Sequence, residues 1–176
     1  PLARQFQHSL NTSLAHLTHG GTRIHLIDTP GHPDFVGPAL AALEAVETAA
    51  IVIDATVGID ATARRMMDVA AARGLCRLVI VNKIDAPDAD PAALMARLRE
   101  AFGPQCLPLN LPAGGGREVV DCFFRPEADR GNEADFSSVA AAHRALVEQV
   151  VEIDAALFER YLEAGDIDPR ELHAPV

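Results

Sequence analysis

Polar and apolar residues alternate along two neighbouring segments near the start of the chain. The alternation runs over residues 8–17 and again over residues 22–27, and Gly20 and Gly21 lie between the two segments. A period of two is typical of a half-buried strand, and adjacent glycines suit the tight turn of a hairpin. The pattern therefore predicts a β-hairpin in this part of the chain.

Short apolar runs and helical patterns then follow each other up to residue 104. The apolar runs, which predict strands, occupy residues 23–27, 49–53 and 76–81. The stretch after each run has the i, i+3, i+4 spacing of an amphipathic helix. Asp60 and the pair Asp90-Pro91 are predicted helix starts, because these residue types favour that position. Strands that alternate with helices form parallel crossovers, so a doubly wound α/β fold is predicted.

The pattern changes after Gly103. Two short strands are predicted at residues 107–111 and 118–124, followed by a polar loop and by one long helix over residues 137–164. The glycine run at 114–116 lacks the Lys and Ser/Thr of a phosphate-binding P-loop, and we interpret it as a hairpin turn. The chain is therefore divided into a first domain, residues 1–104, and a small α+β subdomain, residues 105–176.

Composition and charge narrow the class of protein. Apolar residues make up 49% of the chain and aromatic residues only 5%, so core packing must rely on aliphatic side chains. A formal net charge of -10 argues against generic binding of nucleic acid or of an anionic membrane. Three scattered cysteines suit a reducing cytoplasm, and no apolar run approaches the roughly 20 residues that span a bilayer. We expect a cytoplasmic protein without a membrane partner.

A first chemical motif follows the strand that ends the predicted hairpin. It reads Asp28-Thr29-Pro30-Gly31-His32. A carboxylate such as Asp28 can hold a water on Mg²⁺, an ion that keeps several waters and uses few protein carboxylates. Gly31 lets the backbone come close to a phosphate because it has no Cβ, and His32 is positioned to orient an attacking water. The motif suits the phosphate end of a nucleotide.

A second motif, Asn82-Lys83-Ile84-Asp85, follows the strand predicted at 76–81. The Asp85 carboxylate can accept two parallel hydrogen bonds from guanine, a pairing that adenine does not offer. The Asn82 amide can bond the purine and tie loops together, and the Lys83 stem can cover the base face. Both motifs stand at carboxyl ends of predicted strands, where open α/β sheets bind ligands.

Together the two motifs resemble those of the translational GTPases, most closely bacterial elongation factor G or one of its paralogues. D-T-P-G-H is typical of translation factors, whereas N-K-x-D alone indicates only a GTPase. The resemblance implies an α/β fold, a three-layer P-loop-NTPase-like G domain with a mostly parallel sheet, truncated at both ends, plus a small inserted α+β subdomain. It also implies GTP or GDP with Mg²⁺ as ligands, the ribosome as partner of the parent protein, and GTP hydrolysis that drives translocation.

The resemblance assigns a role to each matching residue. His32 is the implied catalytic residue, Asp28 would bind Mg²⁺ through water, and Ser9 stands where the family has a Thr that reaches the metal. The implied nucleotide contacts are Asp28, Thr29, Pro30, Gly31, His32, Asn82, Lys83, Ile84 and Asp85.

Two parts of a complete GTP site do not occur in the sequence. No G-x-x-x-x-G-K-[ST] loop is found in the 176 residues, and the final guanine-contacting motif of the Ser-Ala type is absent too. We therefore expect an internal fragment of a GTPase domain that binds GTP weakly or not at all by itself.

Other interpretations remain open. A peptide-release factor GTPase or a ribosomal protection protein would carry the same motifs, and Pro33 together with Ser9 indicates a divergent paralogue. A nucleotide-free interaction module derived from a GTPase, which binds a partner through its acidic face, is an interpretation of a different class.

Overall fold

The computed structural model describes residues 9–124, 134–152, 155–164 and 167. The chain divides into two compact units, the first from residues 1–53 and 57–82 and the second from residues 54–56 and 83–176. The division rests on compactness alone. The boundary predicted between residues 104 and 105 therefore stays a prediction.

The first unit begins with an antiparallel hairpin. Strand β1 (Ser13–His19) pairs with strand β2 (Thr22–Asp28) over their full lengths, with Ser13 opposite Asp28 and His19 opposite Thr22. Gly20 and Gly21 form the turn with φ of 54° and 81°. A two-residue turn with positive φ at both positions matches the twist of the strands, which is why two glycines stand there. The predicted hairpin is confirmed.

The remainder of the first unit alternates helices and strands. A short 3-10 turn, Pro33–Phe35, leads into helix α1 (Val36–Ala42), and strand β3 (Thr48–Asp54), helix α2 (Ala61–Ala72) and strand β4 (Cys76–Asn82) follow. The last residue of β3, Asp54, belongs to the second unit. Strands β3 and β4 pair with each other. The Asp60 carboxylate accepts a hydrogen bond from the Ala63 amide at 2.6 Å, which confirms the predicted cap of α2.

Small and flexible apolar side chains fill the interior of the first unit. The aliphatic composition of the sequence is reflected here, because alanines and two methionines dominate the buried set. The buried residues are Ala39, Ala49, Ile53, Ala63, Met66, Met67 and Ala70.

In its described residues, the second unit contains three helices and a hairpin. Helix α3 (Pro91–Phe102) begins at Asp90, whose carboxylate accepts a hydrogen bond from the Ala93 amide, as predicted. Strands β5 (Asn110–Ala113) and β6 (Glu118–Asp121) pair antiparallel, and helices α4 (Val139–Val151) and α5 (Ala155–Ala164) follow. The glycine run lies between β5 and β6, so its interpretation as a hairpin turn is confirmed.

One apolar cluster holds the hairpin of the second unit against its helices. Its fully or nearly buried members come from β5, from the residues after β6 and from one face of α4. They are Leu111, Cys122, Phe123, Val139, Ala142, Leu146, Val147, Val151 and Ile167. Tyr161 and Leu157 of α5 pack against the same cluster.

One expectation about architecture stays a prediction, and one needs correction. The described residues form three two-stranded sheets, of which β1–β2 and β5–β6 are antiparallel, so the three-layer, mostly parallel sheet stays a prediction. The single helix predicted over residues 137–164 is two helices, because α4 ends at Val151 with Glu152 as its C-cap. Ile153 and most of the loop predicted at 125–135 lie outside the described residues.

A bilayer crossing requires a helix that is both long and apolar. No helix in the described ranges combines these two properties.

Candidate nucleotide-binding site

The D-T-P-G-H motif begins where β2 ends. Asp28 is the last residue of that strand and its side chain is exposed, whereas Pro30 is buried and fixes the path of the chain after the strand. The motif thus begins with an exposed carboxylate at the end of the strand, and a buried proline follows two residues later.

His32 caps the 3-10 turn that follows the motif. Its Nδ1 accepts a hydrogen bond from the Asp34 amide at 3.3 Å, and its ring lies 6.0 Å from the ring of Phe35. A neutral imidazole that accepts at Nδ1 carries its proton on Nε2. The side chain is 45% exposed, so Nε2 can reach a group outside the turn.

Gly31 is not required by the fold of the described chain. Its φ lies outside the left-handed region, and a Cβ placed on it would meet no atom of the described residues within 4 Å. Neither backbone conformation nor internal packing therefore explains the absence of a side chain. The open space beside Gly31 is compatible with close approach of a phosphate to the backbone.

Lys83 of the N-K-I-D motif is held in an unusual conformation. It follows the last residue of β4 with φ 59°, in the left-handed region that non-glycine residues seldom adopt. Its Nζ donates to Asp54 Oδ2 at 2.6 Å, and Asp54 is the last residue of β3. The ion pair joins positions 29 residues apart, so the side chain that follows one strand is fixed by the end of the neighbouring strand.

The Asp54 carboxylate accepts hydrogen bonds from Thr56 as well as from Lys83. Besides the Lys83 ammonium, Oδ1 accepts from the Thr56 amide at 2.9 Å and from the Thr56 hydroxyl at 2.7 Å. The hydrogen bond from Lys83, followed by those from Thr56, holds the pKa of Asp54 well below its usual range. Asp54 therefore stays ionised at neutral pH and remains a partner for Lys83.

The rest of the motif forms a tight turn. The Ala86 amide donates to the Lys83 carbonyl at 3.1 Å, which closes the turn around Ile84 and Asp85. The Asp85 side chain is exposed and Ile84 is half-buried. Gly116, from the β5–β6 turn, lies directly against the Ile84 carbonyl: a Cβ placed there would lie 2.7 Å from the carbonyl carbon and 3.0 Å from the Asp85 nitrogen.

The predicted site residues are distributed over both units. Asp28, Thr29, Pro30, Gly31, His32 and Asn82 belong to the first unit, and Lys83, Ile84 and Asp85 to the second. Ser9 is exposed and precedes β1. That these residues surround one nucleotide stays a prediction.

Among the described residues, no group of three or more His, Cys, Asp or Glu side chains is arranged to hold a metal ion. Magnesium does not need such a group, since it binds through one or two carboxylates, several waters and substrate phosphates. The exposed carboxylate of Asp28 therefore fits a water-mediated role toward Mg²⁺.

Sequence reasoning missed two residues that shape the N-K-I-D turn. Asp54 had a detectable signal, because an Asp at the end of a strand next to the motif strand is within reach of it. Gly116 had none, since its contact with Ile84 joins distant parts of the chain and leaves no trace in local spacing.

Comparisons with known proteins identify the family of the chain. The family model of the elongation factor Tu GTP binding domain matches residues 2–165. The chain is 33% identical to peptide chain release factor 3 of Listeria innocua, over 93% of the chain and 33% of that protein. It is also 33% identical to an elongation factor G-like protein of Mycobacterium tuberculosis, over 92% of the chain and 24% of that protein.

A solved structure is similar as well. A crystal structure of a Thermus thermophilus protein superimposes with a TM-score of 0.78 at 32% identity, over 98% of this chain and 28% of that one. The chain thus spans between a quarter and a third of the length of the relatives named here. The 176 residues belong to the elongation factor Tu GTP-binding domain family, that is, to the GTP-binding domain of the translational GTPases.

Proposed function

We propose that these residues read the guanine base and serve the phosphates of GTP in a translational GTPase. One observation carries the proposal: Lys83 keeps a left-handed backbone conformation and is tied through Nζ to Asp54. Strained conformations of this kind persist where the surroundings hold them, and they cluster at ligand sites. Here the strained residue directly precedes Ile84 and the exposed carboxylate of Asp85.

The N-K-I-D turn is suited to a purine. With Nζ bound to Asp54, the aliphatic stem of Lys83 is fixed and offers an apolar surface to a base face. The Asp85 carboxylate accepts the ring N–H and the exocyclic amine of guanine as a bidentate pair. Asn82 bonds the purine, and Ile84 contributes its backbone to the turn that presents Asp85.

The D-T-P-G-H motif serves the phosphate end. Asp28 holds a water of Mg²⁺, with Ser9 as a further oxygen donor, and Thr29 and Pro30 carry the chain past the phosphates. The bound ion supplies positive charge that offsets the charge on the phosphate oxygens. Gly31 gives the terminal phosphate close access to the backbone, and His32 orients the attacking water through Nε2.

The proposal includes a larger architecture. The paired strands β3 and β4 are part of a three-layer, mostly parallel G-domain sheet, and residues 105–176 are a subdomain inserted into it. The family match over residues 2–165 supports this arrangement. The described strands alone do not form such a sheet.

The activity of the complete protein is also a proposal. We infer GTP hydrolysis coupled to ribosomal translocation in the cytoplasm, with the ribosome as partner. Similarity to the elongation factor G-like protein supports this. The 176 residues alone, without a P-loop, are expected to bind GDP weakly, and micromolar affinity of this chain would contradict that expectation.

Peptide release is a second candidate, favoured by a specific observation. Identity to release factor 3 of Listeria innocua is 33%, the same as to the elongation factor G-like protein. The two activities share the nucleotide chemistry, so the site does not distinguish them. Ribosome-dependent GTP turnover on pre-translocation and on post-release complexes would do so.

The base assignment is tested in the product of the full reading frame by Asp85→Asn. An Asn amide donates a hydrogen bond where the carboxylate accepts one, so it pairs with the carbonyl of xanthine rather than with the amine of guanine. We expect GDP affinity to fall about 100-fold and xanthosine diphosphate affinity to rise by a similar factor. Fluorescent-nucleotide titration measures both.

Asp88→Asn is the matched control, because Asp88 is an exposed carboxylate shortly after the motif. It should leave both affinities unchanged. If Asp85→Asn alters neither nucleotide, the base assignment is wrong. If the unmutated protein binds no guanine nucleotide at all, the interaction-module interpretation replaces the enzyme.

A further inference from the structure

Gly116 of the β5–β6 turn lies against the N-K-I-D motif. Gly116 has φ 75° and lies so close to the Ile84 carbonyl that any side chain would overlap it. Backbone atoms cannot move aside as a flexible side chain can, so a Cβ at this position must displace either the hairpin tip or the motif turn. The absence of a side chain at Gly116 is therefore a condition for the present position of Ile84 and Asp85.

The hairpin tip is itself fixed from a third segment. The Asp135 carboxylate accepts the Gly115 amide at 3.0 Å on one oxygen and the Gly116 amide at 2.8 Å on the other. The Asp135 amide in turn donates to the Pro112 carbonyl of β5 at 2.8 Å. Charge-assisted bonds to successive backbone amides hold a left-handed turn strongly.

The hairpin also rests on the core of the second unit. Leu111 of β5 is fully buried, Ala113 is buried at the end of the strand, and Cys122 after β6 is fully buried. The strands of the hairpin thus pack on the interior of the second unit, and the turn of the hairpin contacts the N-K-I-D motif. A tip held in this way can resist displacement of the backbone that it contacts.

We propose that the β5–β6 hairpin positions the N-K-I-D turn, with Gly116 as the contact and Asp135 as the residue that fixes the tip, so that guanine selectivity depends on this hairpin. The inference rests on the proposed function, since it concerns how Asp85 is aimed at the base. Gly116 and Asp135 are positioning residues and need not touch the nucleotide.

The first test uses the 176-residue chain without nucleotide. Gly116→Ala is compared with Gly114→Ala, because Gly114 also has a positive φ, 61°, but a Cβ there would meet nothing within 4 Å. Both variants share the backbone strain, and only Gly116→Ala has the overlap with Ile84. The readout is hydrogen exchange of the Ala86 amide, which closes the motif turn.

We expect Gly116→Ala to speed exchange at Ala86 about fivefold relative to Gly114→Ala. The Leu94 amide, which bonds the Asp90 carbonyl at the start of α3, should exchange equally in the two variants. Acceleration of Leu94 along with Ala86 would show general destabilisation and contradict the proposal. Equal exchange at Ala86 in the two variants would contradict it as well.

The second test measures selectivity in the product of the full reading frame. Inosine diphosphate lacks the exocyclic amine of guanine, so the ratio of its dissociation constant to that of GDP reports how well Asp85 is aimed. Gly116→Ala should reduce this ratio about tenfold relative to Gly114→Ala. A merely structural defect weakens both nucleotides equally and leaves the ratio unchanged, which would overturn the proposal.

Two substitutions at Asp135 should reduce the same ratio of dissociation constants by different amounts. Asp135→Asn keeps one acceptor oxygen and Asp135→Ala keeps none, so the ratio should fall further in the second variant. Asp88→Asn is the control at an exposed carboxylate of the same unit. If the unmutated protein binds no guanine nucleotide, the proposed function fails, while the exchange comparison at Ala86 still decides whether the hairpin holds the turn.

Discussion

The two hairpins in the described residues have the same antiparallel pairing but differ in how deeply their first strands are buried. Both are antiparallel pairs joined at glycines. Every residue of β1 is exposed, with Leu14 at 79%, whereas three of the four residues of β5 are buried, with Leu111 at 0%. Both short segments therefore form a hairpin, and of the two only β5 of the second hairpin packs into a core of its own unit.

This difference bears on the two nucleotide motifs. D-T-P-G-H follows the exposed hairpin directly, since Asp28 ends β2. N-K-I-D is contacted by Gly116 in the turn of the β5–β6 hairpin, whose strand β5 is largely buried. We infer that the N-K-I-D turn is held by a hairpin that packs on an apolar interior, whereas the D-T-P-G-H motif follows a hairpin whose described strands have no such cover.

The largest expected effect tests the contrast in burial. Leu111→Ala should lower the free energy of unfolding of the second unit by about 2–5 kcal/mol, because it leaves a cavity in the apolar cluster. Leu14→Ala, on the exposed hairpin, should change stability by no more than about 0.5 kcal/mol. Urea unfolding followed by the fluorescence of Tyr161, the single tyrosine, measures the first.

Unfolding of the Leu14→Ala variant is followed by amide exchange in β1 and β2. Similar losses for the two variants would show that the first hairpin is covered in solution. The contrast between the hairpins would then disappear.

The next effect concerns catalysis at the exposed hairpin. In the product of the full reading frame, His32→Ala should lower GTP turnover about 100-fold while GDP affinity changes less than about twofold, since the residue acts on water and not on the base. His25→Ala is the matched control, because His25 is an exposed histidine of β2. Phosphate release and nucleotide titration measure the two quantities; a large loss of GDP affinity would mark His32 as structural.

A smaller effect is expected at the Lys83–Asp54 pair. Asp54→Asn keeps the shape but removes the charge, so the ion pair between Asp54 and Lys83 is lost and GDP affinity should weaken about fivefold. Because the pKa of Asp54 is depressed, its contribution is present above the ordinary Asp pKa and is lost only as pH falls through the lower folded value.

The difference between Asp54→Asn and the unmutated protein should thus be constant between about pH 5 and pH 8. Nucleotide titration at several pH values measures it, with Asp68→Asn on α2 as the exposed control. A difference that changes across this range would contradict an ionised Asp54.

The smallest effects on stability are expected at the helix caps, which are present in both units. Asp60 and Ser138 cap helices α2 and α4 through bonds to the Ala63 and Ala141 amides. Asp60→Ala and Ser138→Ala should each lower the stability of their own unit by about 1 kcal/mol, because capping is a local interaction. Amide exchange within each unit measures the loss, and a much larger loss in one unit would mean that its helix start has a second role.

The elements that follow local rules were predictable from the sequence. The turn at Gly20 and Gly21, the cap at Asp60 and the Asp90-Pro91 helix start depend on a few neighbouring residues, and each was confirmed. The break after Val151 was not predicted, because apolar spacing continues past it toward Tyr161. Periodicity reports which face is apolar and does not report where the helix stops.

In the candidate site, too, some features were predictable from the local sequence and others were not. The sequence located both motifs at strand ends, as found for Asp28 and Asn82. The ion pair between Asp54 and Lys83, and the contact of Gly116 with Ile84, arise from tertiary packing between distant segments. Local spacing contains no information on such contacts, so sequence reasoning missed both residues.

The glycine run also predicts a pattern of mutational tolerance. Asn and Asp adopt left-handed backbone conformations more readily than other side chains. At Gly114 the space is open, so these two residues should be accepted there, whereas at Gly116 every side chain begins with the same Cβ and meets the Ile84 carbonyl. In a saturation library, Gly116 should therefore tolerate no replacement, whereas Gly114, two residues earlier, should tolerate Asn and Asp.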